Sequence, residues 1–364
     1  MNIRKAVFAG LLATVSACSQ HAGDRIVLGA AGPWKENFGI MNRRGIELAV
    51  EQINGAPEQG GRKVEVVFRD DEGSGTKAAA IAEEFVKNPD VAGVIGHVNS
   101  GAMVAAAKVY DGRLPAVATT ASSPDLSGIS SWTFRVISSD SANGIELARF
   151  AARRGAKRVG ILYENNSYGR GLVEAFRRAY DGQVVNFDPI AEGAGNFEPM
   201  VSFYKQARPD LVVVAGTDAS GMAFLREVRK QGLASELVGG DGWTGLVTDT
   251  AASEGVWVGA PFTAEDPRPE AQAFVKAFRQ KYGITPDGNA ALAYDATRLM
   301  VEAVRRSGSD RAKVRDFLAS LRDGDGFPGA TGTLKFDTSG DPLGKSVVMT
   351  RIHNGALLVE GTTR

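Results

Sequence analysis

Ile26-Val27-Leu28-Gly29-Ala30-Ala31-Gly32-Pro33 is a short apolar run that ends at a glycine and a proline, and a helical period comes after it. Ile46, Ala49, Val50 and Ile53 recur at i, i+3, i+4 and i+7. The same alternation extends outward from this stretch. Residues 64–68 and 91–95 are predicted strands, and residues 76–86 and 101–110 are predicted helices, the former carrying Ala80, Ile81, Phe85 and Val86. Residues 115–118 and 133–136 complete a first half. A second half restarts the rhythm with helix 144–153, strand 158–163, helix 169–180, strand 183–187, helix 197–206 and strand 211–215. Near-continuous apolar strands between amphipathic helices predict an α/β fold of parallel sheets covered on both faces. A chain of 364 residues fits two such sheets better than one.

A weak internal repeat agrees with two lobes of like topology. Gly96-His97-Val98-Asn99-Ser100-Gly101 comes after a predicted strand and opens a helix, and Gly216-Thr217-Asp218-Ala219-Ser220-Gly221 does the same further on. In a chain with 44 glycines the match has modest weight. It places both loops at the carboxyl ends of strands, where open α/β sheets bind ligands.

The N-terminal segment reads as a processing signal. Met1 to Lys5 is short and basic, and Ala6 to Val15 is apolar but too short to cross a hydrocarbon core of about 30 Å. Val15-Ser16-Ala17-Cys18 resembles a bacterial lipobox. The resemblance implies a signal peptide over residues 1–17, a diacylglycerol on Cys18 as lipidation site, and a polar tether over residues 18–24. An ordinary cleavage site beside a chance cysteine is the alternative. Durable anchoring is expected from two or three acyl chains at ~0.8 kcal/mol per buried CH₂. Cys18 is the only cysteine, so the remainder has no disulfide or thiolate metal site. The net charge of zero falls to about −2 without Arg4 and Lys5, and no dense Lys/Arg run suggests nucleic acid as a partner. No other apolar stretch approaches the length of a membrane span.

Enzymatic readings find little support. Gly240-Asp241-Gly242-Trp243-Thr244-Gly245 matches G-x-G-x-x-G, with Glu265 and Asp266 downstream, but the residues after Gly245 do not make the clean helix of a dinucleotide-binding unit. There is no G-x-S-x-G, no H-E-x-x-H and no cluster among His21, His97 and His353. Neither a cofactor nor a catalytic residue is expected.

Several segments together resemble the type I periplasmic binding proteins of the leucine/isoleucine/valine kind. They are Ile26 to Gly32 with Gly45 to Val50, Phe68-Arg69-Asp70-Asp71, Val94-Ile95-Gly96-His97, Ser122 to Leu126, Ser167-Tyr168-Gly169-Arg170-Gly171, and Phe327 to Gly332 with Phe336-Asp337 and Gly340-Asp341. The last group is similar to that family's closing hairpin. Order and spacing, more than any single motif, carry the resemblance. It implies two Rossmann-like lobes joined by a three-segment hinge crossing near Ser138, Phe262 and Pro328. Lobe 1 is then residues 25–137 and 263–327, and lobe 2 residues 138–262 and 328–364. It further implies a monomeric extracytoplasmic binder of a small molecule, an amino acid above all, that delivers it to a membrane-embedded ABC permease. A ligand sensor of the same fold, or a binder of an amide or organic acid, is the alternative.

A zwitterion needs donors for its carboxylate and an acceptor for its ammonium. Ser100 is placed at the N-cap of its helix, where hydroxyl, free N–H groups and dipole suit a carboxylate, or where it merely caps the helix. By resemblance it contacts the ligand carboxylate. Thr120, Ala121 and Ser122 form either a hydroxyl-rich turn or, by resemblance, a loop offering backbone and hydroxyl groups to the head group. Asp241 matches the family's acidic partner of the ammonium, and a solvated turn is the alternative. Tyr168 matches a tyrosine lying over the ligand, against a surface aromatic at a helix start. Trp34 and Phe38 either wall the pocket or belong to the core. Asp218 stands where some relatives carry an uncharged or aromatic residue, which favours a polar or cationic ligand over an aliphatic one.

Overall fold

The computed structural model describes residues 25–56, 61–190 and 195–361. Cys18 and the segments expected to be a signal peptide and a tether lie outside them. Strands and helices alternate as the periodicity predicts: β1 (Arg25–Gly32), α1 (Asn37–Gly55), β2 (Lys63–Asp70), α2 (Gly75–Lys87), β3 (Val91–Gly96), α3 (Ser100–Tyr110), β4 (Ala116–Ala118) and β5 (Thr133–Arg135). These strands form one parallel sheet in the order β2-β1-β3-β4-β5. Every residue of β1 after Arg25 is buried, as expected of a central strand covered on both faces.

The second unit runs α4 (Asp140–Arg153), β6 (Arg158–Glu164), α5 (Ser167–Ala179), β7 (Gln183–Ile190), α6 (Glu198–Ala207), β8 (Leu211–Ala215), α7 (Asp218–Gln231), β9 (Glu236–Gly239), α8 (Thr250–Ser253) and β10 (Trp257–Ala260). Its parallel portion has the order β7-β6-β8-β9-β10, the same winding as the first sheet shifted by one set of strands. The repeat seen between residues 96–101 and 216–221 therefore marks equivalent positions, each after the third strand of its own sheet.

Helices α9 (Pro269–Tyr282), α10 (Gly288–Ser307) and α11 (Arg311–Ser320) return to the first unit. There α10 packs along α1 so closely that a Cβ on Gly45 would lie 2.2 Å from the Ala290 carbonyl oxygen, which is why a glycine stands there. The chain then adds an antiparallel hairpin, β11 (Val348–His353) and β12 (Ala356–Val359), to the edge of the second sheet. Asn354 and Gly355 turn it with φ of 49° and 74°, as a two-residue hairpin requires.

One boundary differs from expectation. Residues 328–342 stay with the first unit: Leu334 and Phe336 are buried in its core beside Ile26 and Leu28, and the Phe134 and Phe336 rings pack at 5.2 Å. The segment is pinned by two short antiparallel bridges, Phe327 to Leu334 and Phe336 to Pro342. The chain thus passes to the second sheet between Pro342 and Val348 and not at Pro328, because its apolar residues fill space under β5. The other passages lie after β5 and after β10. No helix of the described residues is long and apolar enough to cross a membrane.

Candidate functional site

In a 2-1-3-4-5 sheet the strand order reverses between the first and third strands, and the crevice at their carboxyl ends is the place for a ligand. The loops after β3, β6 and β8 all reach one cavity of about 120 Å³ between the two units. Asn99, Ser100 and Thr120 line it from the first unit, and Asn166, Tyr168, Thr217 and Asp241 from the second. Phe38 and Asn289 close it from α1 and α10. The starts of α3, α5 and α7 converge here, so unpaired N–H groups and positive dipole ends face the cavity.

Ser100 is the first residue of α3, not its cap. Asn99 occupies the cap position and makes no side-chain cap bond. The Ser100 Oγ instead accepts the Ser122 and Ser123 N–H groups at 3.2 and 3.1 Å, tying α3 to the loop after β4. Within that loop the three expected contacts separate. Thr120 lines the cavity and donates to the Val98 carbonyl at 3.1 Å. Ala121 is buried in the apolar core. Ser122 is buried and donates to Asp140 Oδ2 at 3.0 Å. Trp34 also falls away from the cavity and packs edge-on against Phe68 at 5.7 Å. Phe38 stands on the wall.

Tyr168 and Asp241 meet as a pair. The Tyr168 hydroxyl donates to Asp241 Oδ1 at 3.2 Å and accepts the Gly242 N–H at 3.1 Å. Two glycines flanking Asp241 permit this, since a Cβ on Gly240 would lie 2.7 Å from the Tyr168 hydroxyl and one on Gly242 3.0 Å from it. The stretch 240–245 is thereby explained without a dinucleotide: it comes after β9 and winds into a 3₁₀ helix, Asp241–Thr248, that holds the carboxylate in place.

Asp140, which sequence reasoning missed, is the second acid here. It is fully buried at the start of α4, where Asn143 also donates to it at 3.3 Å. Burial and the charge of Asp241 raise its pKa well above the usual carboxylate range. Loss of hydration pushes Asp241 up to about 6, against the bond from its own N–H and that from Tyr168. Among the described residues no Lys or Arg side chain lines the cavity, and Asp241 is the charged group on its wall.

The two raised acids lead to an expected pH dependence of stability and of ligand affinity. Affinity for an ammonium-bearing ligand is expected to be flat above pH 7 and to fall toward a limiting tenfold per unit below about pH 6, as Asp241 takes up a proton. Ligand-free stability should move the other way. Folded-state values raised above the unfolded ones mean that the folded chain binds more protons there, so stability rises as pH falls from 7 to 5. Calorimetric titration and thermal unfolding across pH 5–8 check both signs.

Further residues came from structure alone. Glu164 Oε1 accepts from the Thr217 N–H, the Thr217 hydroxyl and the Ser220 hydroxyl, fixing the loop after β8. Asn289 Nδ2 donates across the cleft to Thr244 Oγ1 at 3.3 Å. Asn166 caps α5 by accepting the Gly169 N–H at 2.9 Å; an Asn before a helical period is the signal that marks it in the sequence. Behind the site, buried His97 bonds Asp71 at 2.6 Å and Tyr110 at 3.0 Å, a network that supports the loop after β3 and does not reach the cavity.

The comparisons with known proteins agree with the fold. The family model described as periplasmic binding protein matches residues 27–356. The chain is similar to an amino acid binding protein of Pseudomonas aeruginosa, 28% identical over 87% of this chain and 88% of that one. Among solved structures it is similar to LivJ of Streptococcus pneumoniae, a branched-chain amino acid transporter substrate-binding protein in complex with isoleucine, with a TM-score of 0.86, 27% identity, and 92% and 97% coverage of the two chains. A benzoate complex of an R. palustris solute-binding protein has a TM-score of 0.85 at 23% identity, covering 93% of this chain and 96% of that one, and shares the fold.

Proposed function

The chain belongs to the periplasmic binding protein family, and from that premise we propose that it captures an amino acid between its two units and presents it to an ABC importer. The cavity shared by both switch points supports this reading: donors from the first unit and the Tyr168–Asp241 pair from the second face one small space. In the proposed pose the ligand carboxylate lies against the Ser100 end of α3 and the Thr120 loop. The ammonium lies against Asp241, with Tyr168 over the ligand. The ligand carries a charge for each wall, so it favours the arrangement in which both walls reach it. The three passages between the units act as the hinge. No nucleophile or general acid–base pair is used, and binding is the whole of the chemistry.

In this reading Cys18 carries the lipid that holds the protein to a bacterial membrane on its extracytoplasmic side, where a permease takes over the ligand. A simple organic acid is the lesser alternative, since it leaves Asp241 without a cation. Thermal unfolding against a panel of amino acids, amides and organic acids tests the proposal. A specific amino acid at 100 times its Kd should add about 2.7 kcal/mol of stability. A midpoint moved by organic acids and unmoved by amino acids would refute it.

A further inference from the structure

A second cavity of about 470 Å³ adjoins the first, and Phe38 lines both. Glu36 and Asn37 bound it on the first unit, and Asp218, Met222 and Arg226 on the second. Asp218 is 8% exposed, and its carboxylate is only half satisfied. Oδ1 accepts the Gly245 N–H at 3.1 Å, while among the described residues Oδ2 has no hydrogen-bond partner. Among the described residues the one cationic side chain lining this cavity, Arg226, is paired with Asp249 on the same wall at 2.8 Å.

A buried carboxylate oxygen without a donor is costly, and a nitrogen donor placed beside Asp218 would relieve that cost. We infer that this cavity receives the ligand side chain and that Asp218 selects one ending in a nitrogen donor, a cationic group before a neutral amide. The inference rests on the amino-acid reading of the neighbouring cavity. Asp287, at the cap of α10, and Glu164 add their negative charge around Asp218, which favours a full positive charge. Burial first, and then Asp287, push Asp218 up to about 8, so a bound cation also displaces a proton. An aliphatic side chain would leave Oδ2 unpaired and gain nothing from the surrounding charge.

The test is calorimetric titration of the purified protein and of Asp218→Asn with lysine, arginine, glutamine, leucine and isoleucine. Asparagine has the same shape, and intact folding is checked by thermal unfolding. The expected result is that a nitrogen-bearing side chain binds at least about tenfold tighter than leucine. Asp218→Asn should remove that preference and leave leucine within about twofold. Tightest binding of leucine or isoleucine by the unaltered protein would overturn the inference, as would equal weakening of all ligands by Asp218→Asn. In either case Asp241→Asn should still weaken binding by at least about a hundredfold and the head-group reading stands. Binding of no amino acid by either protein overturns both.

Discussion

Asp241→Asn is expected to weaken amino-acid binding by at least about a hundredfold at pH 7.5, while making the ligand-free protein more resistant to heat. The two effects share one cause. Asp241 sits on the cleft wall beside buried Asp140, and loss of hydration raises both acids. Ionising Asp241 there at pH 7.5 costs folding free energy that a ligand ammonium would recover in the proposed pose. The amide keeps a side chain that can accept the Tyr168 hydroxyl but carries no charge. It removes the cost and the attraction together. A variant damaged in folding would lose binding and stability at once, so the opposite signs separate the proposed role from a structural one. Asp218→Asn should share the rise in stability, because Asp218 is raised too, yet leave leucine binding almost unchanged. Isothermal titration and thermal unfolding at pH 7.5 measure all four quantities. Unaltered binding by Asp241→Asn would exclude the ammonium role.

Arg135→Met is expected to give the largest loss of stability, about 3–5 kcal/mol, the range for removing one partner of a buried charge pair. Arg135 is 1% exposed, although it lies on a short strand amid apolar neighbours. Its guanidinium donates to the Ser122 and Ser123 carbonyls at 2.9 and 2.7 Å, to Ser127 Oγ at 2.7 Å and to Asp341 Oδ1 at 2.7 Å. Methionine fills much of the volume but leaves Asp341 and two carbonyls without this donor. The loop it holds contains the Ser122 and Ser123 N–H groups bound to Ser100, so ligand affinity should fall with stability. Denaturant unfolding of the ligand-free protein gives the first quantity and titration the second. A stability within about 0.5 kcal/mol of the unaltered protein, a size usual for surface changes, would contradict the role given to Arg135.

The strand and helix rhythm was legible because each element is decided locally. A covered parallel strand reads as a short apolar run, and a helix packed on one face repeats its apolar residues every three or four positions. Both periods run through residues 26–53 and again through residues 158–215. Helix starts were less legible, as with Ser100 and Asp140, because an N-terminal turn carries polar residues that suit a loop equally well. Phe38, Thr120, Tyr168 and Asp241 were expected near one site and line one cavity. Trp34, Ala121 and Ser122 were expected with them and do not, since neighbours along a loop point in different directions.

What the chain order could not convey is contact between distant segments. Asn289 reaches Thr244 because α10 returns to the first unit and crosses the cleft mouth. Asp140 feels the charge of Asp241 only because the first passage between units runs near it. The crossing expected at Pro328 lies beyond Pro342 because Leu334 and Phe336 find apolar space under β5. By itself the sequence determined the two doubly wound sheets and the loops at their carboxyl ends, since periodicity and chain punctuation act over a few residues. The tertiary structure alone decided which of those loops face each other and which acids share a space. It also decided which carboxylate oxygen is left without a partner, because burial and charge proximity depend on every segment that packs around them.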